Sequence, residues 1–176
     1  ATPESSANKF GAVAAITFPD DAASDFPVSM EVSNKYDVIY LVTRMGLLHI
    51  FDIATGKLIY MNRIAHDKDT IFVTTPYKGG MLGVNKAGKV LSINLNEQTI
   101  IPYIMSKPDV ELATKLAARA NLPGADDLFM KQFQALMAQG RYAEASRVAA
   151  EAPAALLRTP QTIQLFQTQP ARQGEP

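Results

Sequence analysis

The 176 residues contain no cysteine and no tryptophan, and only two histidines, His49 and His66. The missing cysteines exclude disulfides, Cys-ligated zinc, iron–sulfur clusters and thiol nucleophiles together. Two histidines leave little for a metal site or an imidazole base. Neither sign of charge is in excess: 17 Lys+Arg stand against 17 Asp+Glu. That balance argues against a protein that neutralises phosphates over a broad basic face, so no nucleic-acid partner is expected. No Asn-x-Ser/Thr acceptor, signal peptide or apolar run of membrane-spanning length is evident. Secretion and membrane spanning are therefore unsupported, and a cytosolic, non-enzymatic chain is expected. Because it opens on Ala1 rather than Met, it is read as a fragment. What the chain does have is apolar mass, 47% hydrophobic against 19% charged, enough to bury a core. Its length suits one ordinary domain or pieces of two.

Residues 1–9 are small, polar and turn-forming and read as a loop. From Phe10 to about Gln98, short apolar runs alternate with Gly, Asn, Asp and Pro, the pattern of a β region. The candidate strands are Ala12–Phe18, Val28–Ser33, Val38–Thr43, Leu47–Ile53, Leu58–Asn62, Thr70–Thr74, Met81–Asn85, Lys89–Leu95 and Ile100–Ile104. Val28-Ser29-Met30-Glu31-Val32 alternates, whereas Val38-Ile39-Tyr40-Leu41-Val42 is apolar on both faces and suits the centre of a covered sheet. A shift of 42 residues carries Gly46 onto Gly88, Tyr40 onto Leu82, Val42 onto Val84, Phe51 onto Ile93 and Leu58-Ile59 onto Ile100-Ile101. Four antiparallel strands recurring at this interval are the arithmetic of a β-propeller blade. One such sheet cannot bury both faces, so blades must stack. The plain alternative is a β-sandwich with a chance internal match. Two units fit, Val28–Asn62 and Thr70–Ile104, with one strand of a preceding unit, and the remaining blades are expected upstream.

Near Pro108 the period becomes helical. Val110, Ala113, Ala117 and Ala120 share a face, with Leu112 and Leu116 beside it. Asn121-Leu122-Pro123-Gly124 reads as a stop, and Asp126 and Asp127 suit the first turn of a second helix. That helix carries Phe129, Phe133, Leu136 and Met137 and ends at Gln139-Gly140. A third, from Tyr142 to about Ala150, presents Tyr142, Ala145, Ala149 and Ala152, and Pro153 ends it. Thr159-Pro160 reads as an N-cap and first helical residue, with Ile163 and Phe166 as the next stripe. Such short connections imply antiparallel stacking into an α-solenoid. The expected division is therefore a loop over 1–9, propeller blades over 10–105, a helical linker over 106–168 and a disordered tail over 169–176.

No reactive constellation emerges. His66-Asp67-Lys68-Asp69 could contribute to a divalent site, but two further ligands are not evident, and a solvated turn between the units explains it. His49 alternates with Leu47 and Phe51 on one strand face and reads as a half-buried strand histidine. Gly79-Gly80-Met81-Leu82-Gly83 lacks the Lys-Ser/Thr ending of a phosphate loop, and a turn with a close strand approach fits better. The helical part carries Lys115, Arg119, Arg141 and Arg147, and Arg147 is placed to pair with Glu144 three residues before it. Phe129 and Phe133 read as core. No catalytic, cofactor-binding or metal residue is assigned, and no cofactor is expected.

Several words of the sequence resemble the clathrin heavy chain family. They include Asp25-Phe26-Pro27-Val28, Leu47-Leu48-His49-Ile50-Phe51-Asp52, Ile59-Tyr60-Met61-Asn62-Arg63-Ile64 and Thr70-Ile71-Phe72-Val73-Thr74. Gly83-Val84-Asn85-Lys86, Ile100-Ile101-Pro102-Tyr103-Ile104, Gly140-Arg141-Tyr142-Ala143-Glu144-Ala145 and Leu157-Arg158-Thr159-Pro160-Gln161-Thr162-Ile163 do the same. The similarity is weakest over 1–24 and 105–111. It implies the last blades of a seven-bladed N-terminal propeller running into the helical linker of the leg. It also implies a structural coat role at coated pits and vesicles on the cytoplasmic side, with membrane association only through adaptors. The implied partners are adaptor proteins with short linear motifs, clathrin light chains and other heavy chains, the last two through regions outside this chain. No peptide-contacting residue is assigned. Another coat or tethering scaffold of the same propeller-plus-solenoid plan is the alternative.

Overall fold

The computed structural model describes residues 14–65, 71–107 and 109–168, apart from the side chains of Phe72 and Ala154. The expected leading loop, the trailing tail and the His66–Asp69 cluster lie outside the described residues. The chain divides into two compact units, Ala1–Leu95 and Asn96–Pro176.

Among the described residues the first unit holds two antiparallel sheets. One is formed by β1 (Pro27–Ser33), β2 (Val38–Thr43), β3 (Leu47–Asp52) and β4 (Leu58–Arg63), and the other by β5 (Ile71–Tyr77), β6 (Gly80–Asn85) and β7 (Val90–Ile93), each in sequential order. β3 is buried along its whole length and β2 at all but Ile39, as strands apolar on both faces require. The 42-residue repeat is visible in the turns. Thr43–Gly46 and Asn85–Gly88 each close with a backbone bond from the glycine to the first carbonyl, 3.1 and 3.0 Å, and both glycines have positive φ. The first side chain of each turn also accepts a following N–H: Thr43 Oγ1 from Leu47 at 3.0 Å, and Asn85 Oδ1 from Lys89 at 2.8 Å.

Two expected strands do not form among the described residues. Residues 100–105, one repeat after β4, form a helix, α1 (Ile100–Met105), so the second sheet has three strands. Where β4 has Tyr60 paired with Ile50, the repeat places Pro102, which has no N–H for a ladder. In α1 that proline falls within the first turn, where no intrahelical donor is needed. The preceding Asn96 starts the turn: its carbonyl accepts from Thr99 and Ile100, and its side chain from Gln98. The other correction concerns Ala12–Phe18. Residues 14–18 have no regular structure, and residues 12 and 13 lie outside the described set. The Thr17 carbonyl is engaged by the His49 side chain instead of a strand. The segment continues through a short 3-10 turn, Asp20–Ala22, held to β4 by an Asp21–Arg63 pair at 2.7 Å.

The second unit continues with α2 (Val110–Ala120), α3 (Ala125–Ala138), α4 (Tyr142–Glu151) and α5 (Pro160–Gln167), close to the boundaries expected from period and caps. Asp109 caps α2 by accepting from Leu112 at 3.0 Å, and Thr159 caps α5 by accepting from Thr162 at 3.2 Å. Asn121, Gly124 and Gly140 take left-handed conformations at the helix ends. The core gathers Phe129, Phe133 and Leu136 of α3, Ala145, Val148 and Ala149 of α4, and Leu157, with Phe166 of α5 edge-on to Phe133 at 5.9 Å. The α2 stripe is rotated from the expected one: Leu112, Ala113, Leu116 and Ala117 are buried while Val110 is exposed, because the leucines carry more apolar area than the alanines. On α4, Val148 is buried and Tyr142 only half-buried. Ile163 of the expected α5 stripe is 58% exposed.

Candidate interaction surface

The two sheets meet along their first strands. Ser29 Oγ lies 2.5 Å from Thr74 Oγ1, and Thr74 donates to Glu31 Oε1 at 2.8 Å. Because the Thr74 proton is committed to the carboxylate, Ser29 donates to Thr74, giving a directed chain that crosses the seam from β1 to β5 and returns to β1. Register puts Tyr40 and Val42 of β2, then Ile50 and Leu48 of β3, on the same face as Glu31 and Ser29, and all four are buried. Tyr40 donates its hydroxyl to the Gly79 carbonyl at 3.2 Å, tying the β5–β6 turn to β2. Burial pushes the Tyr40 phenol up to about 12.

That turn is the glycine-rich stretch noted in the sequence. Lys78 and Gly79 both have positive φ between paired Tyr77 and Gly80, a two-residue hairpin turn. A side chain on Gly80 would begin 2.1 Å from the Ile93 carbonyl, and one on Gly83 2.5 Å from Ile71 Cγ2. The reading as a turn with close strand approach therefore holds.

His49 is more deeply placed than expected. It is fully buried, with Nε2 3.2 Å from the Thr17 carbonyl, Phe18 edge-on at 5.8 Å and Phe51 parallel to it. A carbonyl only accepts, so Nε2 carries the proton; Nδ1 has no partner among the described residues. The imidazole thus fastens the 14–26 segment to the sheet. Asp25 does the same at the β2–β3 turn, accepting from Phe26 at 2.8 Å and Met45 at 2.9 Å. No local pattern marks the His49–Thr17 or the Asp25–Met45 contact, since they join residues 32 and 20 positions apart.

Among the helical cations, Arg141 and not Arg147 pairs with Glu144, donating from Nε at 2.7 Å. Arg141 lies at the N-terminal edge of α4, which lets its fork meet the first-turn carboxylate side-on. Lys115 pairs with Glu111 at 2.7 Å. Phe129 and Phe133 lie in the core. Among the described residues no three His, Asp or Glu are grouped to hold a metal ion, and no helix is long and apolar enough to cross a membrane.

The outward faces of the sheets remain open at their margins. On the first, Met30 is 58% exposed and Val32 is also exposed. On the second, Val73, Val84 and Val90 face one another across three strands, with Val73 52% and Val90 65% exposed. Such rows are what a stacked sheet leaves uncovered when a neighbour is missing.

Comparison with known proteins decides what stack this is. The clathrin propeller repeat matches residues 20–54, and Clathrin-H-link matches residues 121–176. The clathrin heavy chain of Drosophila melanogaster is 54% identical over 157 residues, 86% of this chain and 9% of that protein. The chain belongs to the clathrin heavy chain family. Clathrin heavy chain 2 of Homo sapiens is 48% identical over 165 residues, 91% of this chain and 10% of its own length. Clathrin heavy chain 1 of Arabidopsis thaliana is 47% identical over 161 residues, 90% and 9% respectively. The chain thus spans about a tenth of the length of these curated clathrin relatives. The paired sheets followed by short helices are a partial propeller and the helical segment after it, in the clathrin order.

Proposed function

We propose that this chain is a non-catalytic piece of a clathrin lattice. β1–β7 supply the last blades of the propeller, α2–α5 open the helical linker, and α1 stands at the handover. The observation that carries this reading is the similarity, near half identity, over both sheets and the helices. In the complete protein the propeller recruits adaptor proteins through short extended motifs at the cytoplasmic face of coated pits and vesicles. Clathrin light chains and further heavy chains attach through parts of the protein beyond these residues.

Physical features support the role. Sheets that meet at their first strands and diverge outward leave concave grooves with apolar walls and backbone groups at strand edges, which accept an extended peptide. A contact of that size is weak, with affinity on the order of 100 μM, and gains strength when a lattice presents many copies. The test is calorimetry on the intact propeller of this protein with adaptor-derived motif peptides, beside a panel of sugars and divalent metals. Saturable heat with the peptides alone is expected. Heat with a sugar or metal and none with any peptide would overturn the reading.

A further inference from the structure

The helical unit has a cleft of about 420 Å³ lined by its own residues. Its walls are Ile101, Pro102 and Met105 of α1 and Leu128 of α3, and its rim carries Asp127 and Lys131. Ile101 and Leu128 are buried at the floor, while Pro102 and Met105 are exposed at the mouth. The volume falls within the range of sites that take small ligands or single peptide side chains. The cleft exists because residues 100–105 are helical. A fourth strand there would leave Leu128 without these facing side chains.

The two rim charges are the informative part. Asp127 and Lys131 stand one helical turn apart, the spacing at which carboxylate and ammonium ordinarily join. Both are exposed, and neither forms an ion pair or side-chain hydrogen bond with a described residue. An apolar trough thus has one available anion and one available cation at its lip.

We infer that this cleft is a docking site for a short extended segment of a partner protein, one large apolar side chain flanked by one acidic and one basic residue. The apolar side chain enters between Met105 and Leu128, the acidic residue meets Lys131 and the basic residue meets Asp127. Charge complementarity selects this occupant over a lipid surface or an acidic tract, because a rim of zero net charge attracts neither. The inference rests on residues of the helical unit alone and does not depend on the inter-blade grooves of the proposed function.

The test uses the whole chain, with methyl and amide NMR during titration by capped pentapeptides. The probe is Lys-Ser-Leu-Ser-Glu; the comparisons are Lys-Ser-Leu-Ser-Lys, Glu-Ser-Leu-Ser-Glu and Lys-Ser-Ser-Ser-Glu. Saturable shifts at Met105 and Leu128 are expected with the mixed-charge probe, at a Kd of about 1 mM or somewhat below for one buried side chain. The leucine-free peptide should give none. Each exposed charge contact contributes about two- to five-fold in affinity. Lys131→Glu should therefore shift preference to the doubly basic peptide, and Asp127→Lys to the doubly acidic one. Both substitutions lie on an exposed helix face, and retained core methyl shifts would show that the fold is unchanged. Absence of saturable shifts, equal response to all leucine peptides, or preferences unmoved by the two variants would overturn the inference.

Discussion

Gly46→Ala and Gly88→Ala perturb the same turn of the repeat twice, with one structural difference between them. Both glycines have positive φ, +80° and +74°, so an alanine at either pays the left-handed backbone penalty, about 1–2 kcal/mol. At Gly88 nothing lies within 4 Å of the added carbon, and the cost ends there. At Gly46 the carbon would sit 2.2 Å from the Ala65 carbonyl oxygen, which must move. Ala65 and Ile64 donate to the Gly46 carbonyl at 3.2 and 2.8 Å, so displacing that backbone weakens both bonds, about 1 kcal/mol each. Gly46→Ala should therefore cost about 3–4 kcal/mol and Gly88→Ala about 1–2. The assay is urea unfolding followed through the amide resonances of β2 and β3, with equal slopes as the sign that only stability changed. Gly88→Asn should recover part of the smaller loss, because asparagine tolerates the left-handed region. Equal losses for the two alanines, or the larger loss at Gly88, would show that the Ala65 carbonyl does not set the difference.

Three further outcomes follow from the same geometry. Tyr40 has its phenol raised to about 12, so the stability it lends is whole below the ordinary value near 10 and is lost as pH rises toward 12. Ultraviolet titration should show one phenol ionising last, together with loss of β structure; Tyr40→Phe, which drops the bond to Gly79, should cost about 1 kcal/mol at neutral pH. Thr159→Ala removes the cap on the Thr162 N–H and should cost about 1 kcal/mol, read as faster amide exchange confined to α5. Val73 and Val90 form an exposed apolar row, so the isolated chain should self-associate, and Val73→Thr with Val90→Thr should reduce this in sedimentation. A sharply melting, compact monomer at high concentration would contradict that expectation.

The sequence made the repeat legible because its strongest marks are local. A glycine after a two-residue turn tip and runs apolar on both faces mark β2, β3 and their counterparts to within one or two residues. Helix ends were legible for a similar reason, since Asn121, Gly140 and Thr159-Pro160 each act within their own turn. Ile100-Ile101-Pro102-Tyr103-Ile104 misled because a run of five residues is too short to separate strand from helix, and the repeat argued for strand. Pro102 was the contrary sign. The seam chain Ser29–Thr74–Glu31 could not be read in advance, because it joins hydroxyls 45 residues apart with no local pattern. The cleft between α1 and α3 was hidden by the same mistaken strand. The Arg147–Glu144 pairing failed on direction: Arg141 reaches the carboxylate first, from the helix start.

The central claim is that the two sheets are neighbouring wedges of one ring, continued by helices. The decisive measurement is a structure of this protein in a chain long enough to hold further blades. That structure should show a closed ring in which further sheets cover Met30 and Val32 on one side and Val73 and Val90 on the other, with the Ser29–Thr74–Glu31 chain intact. The same residues still facing solvent, or the two sheets closed on each other as a self-contained sandwich, would contradict it.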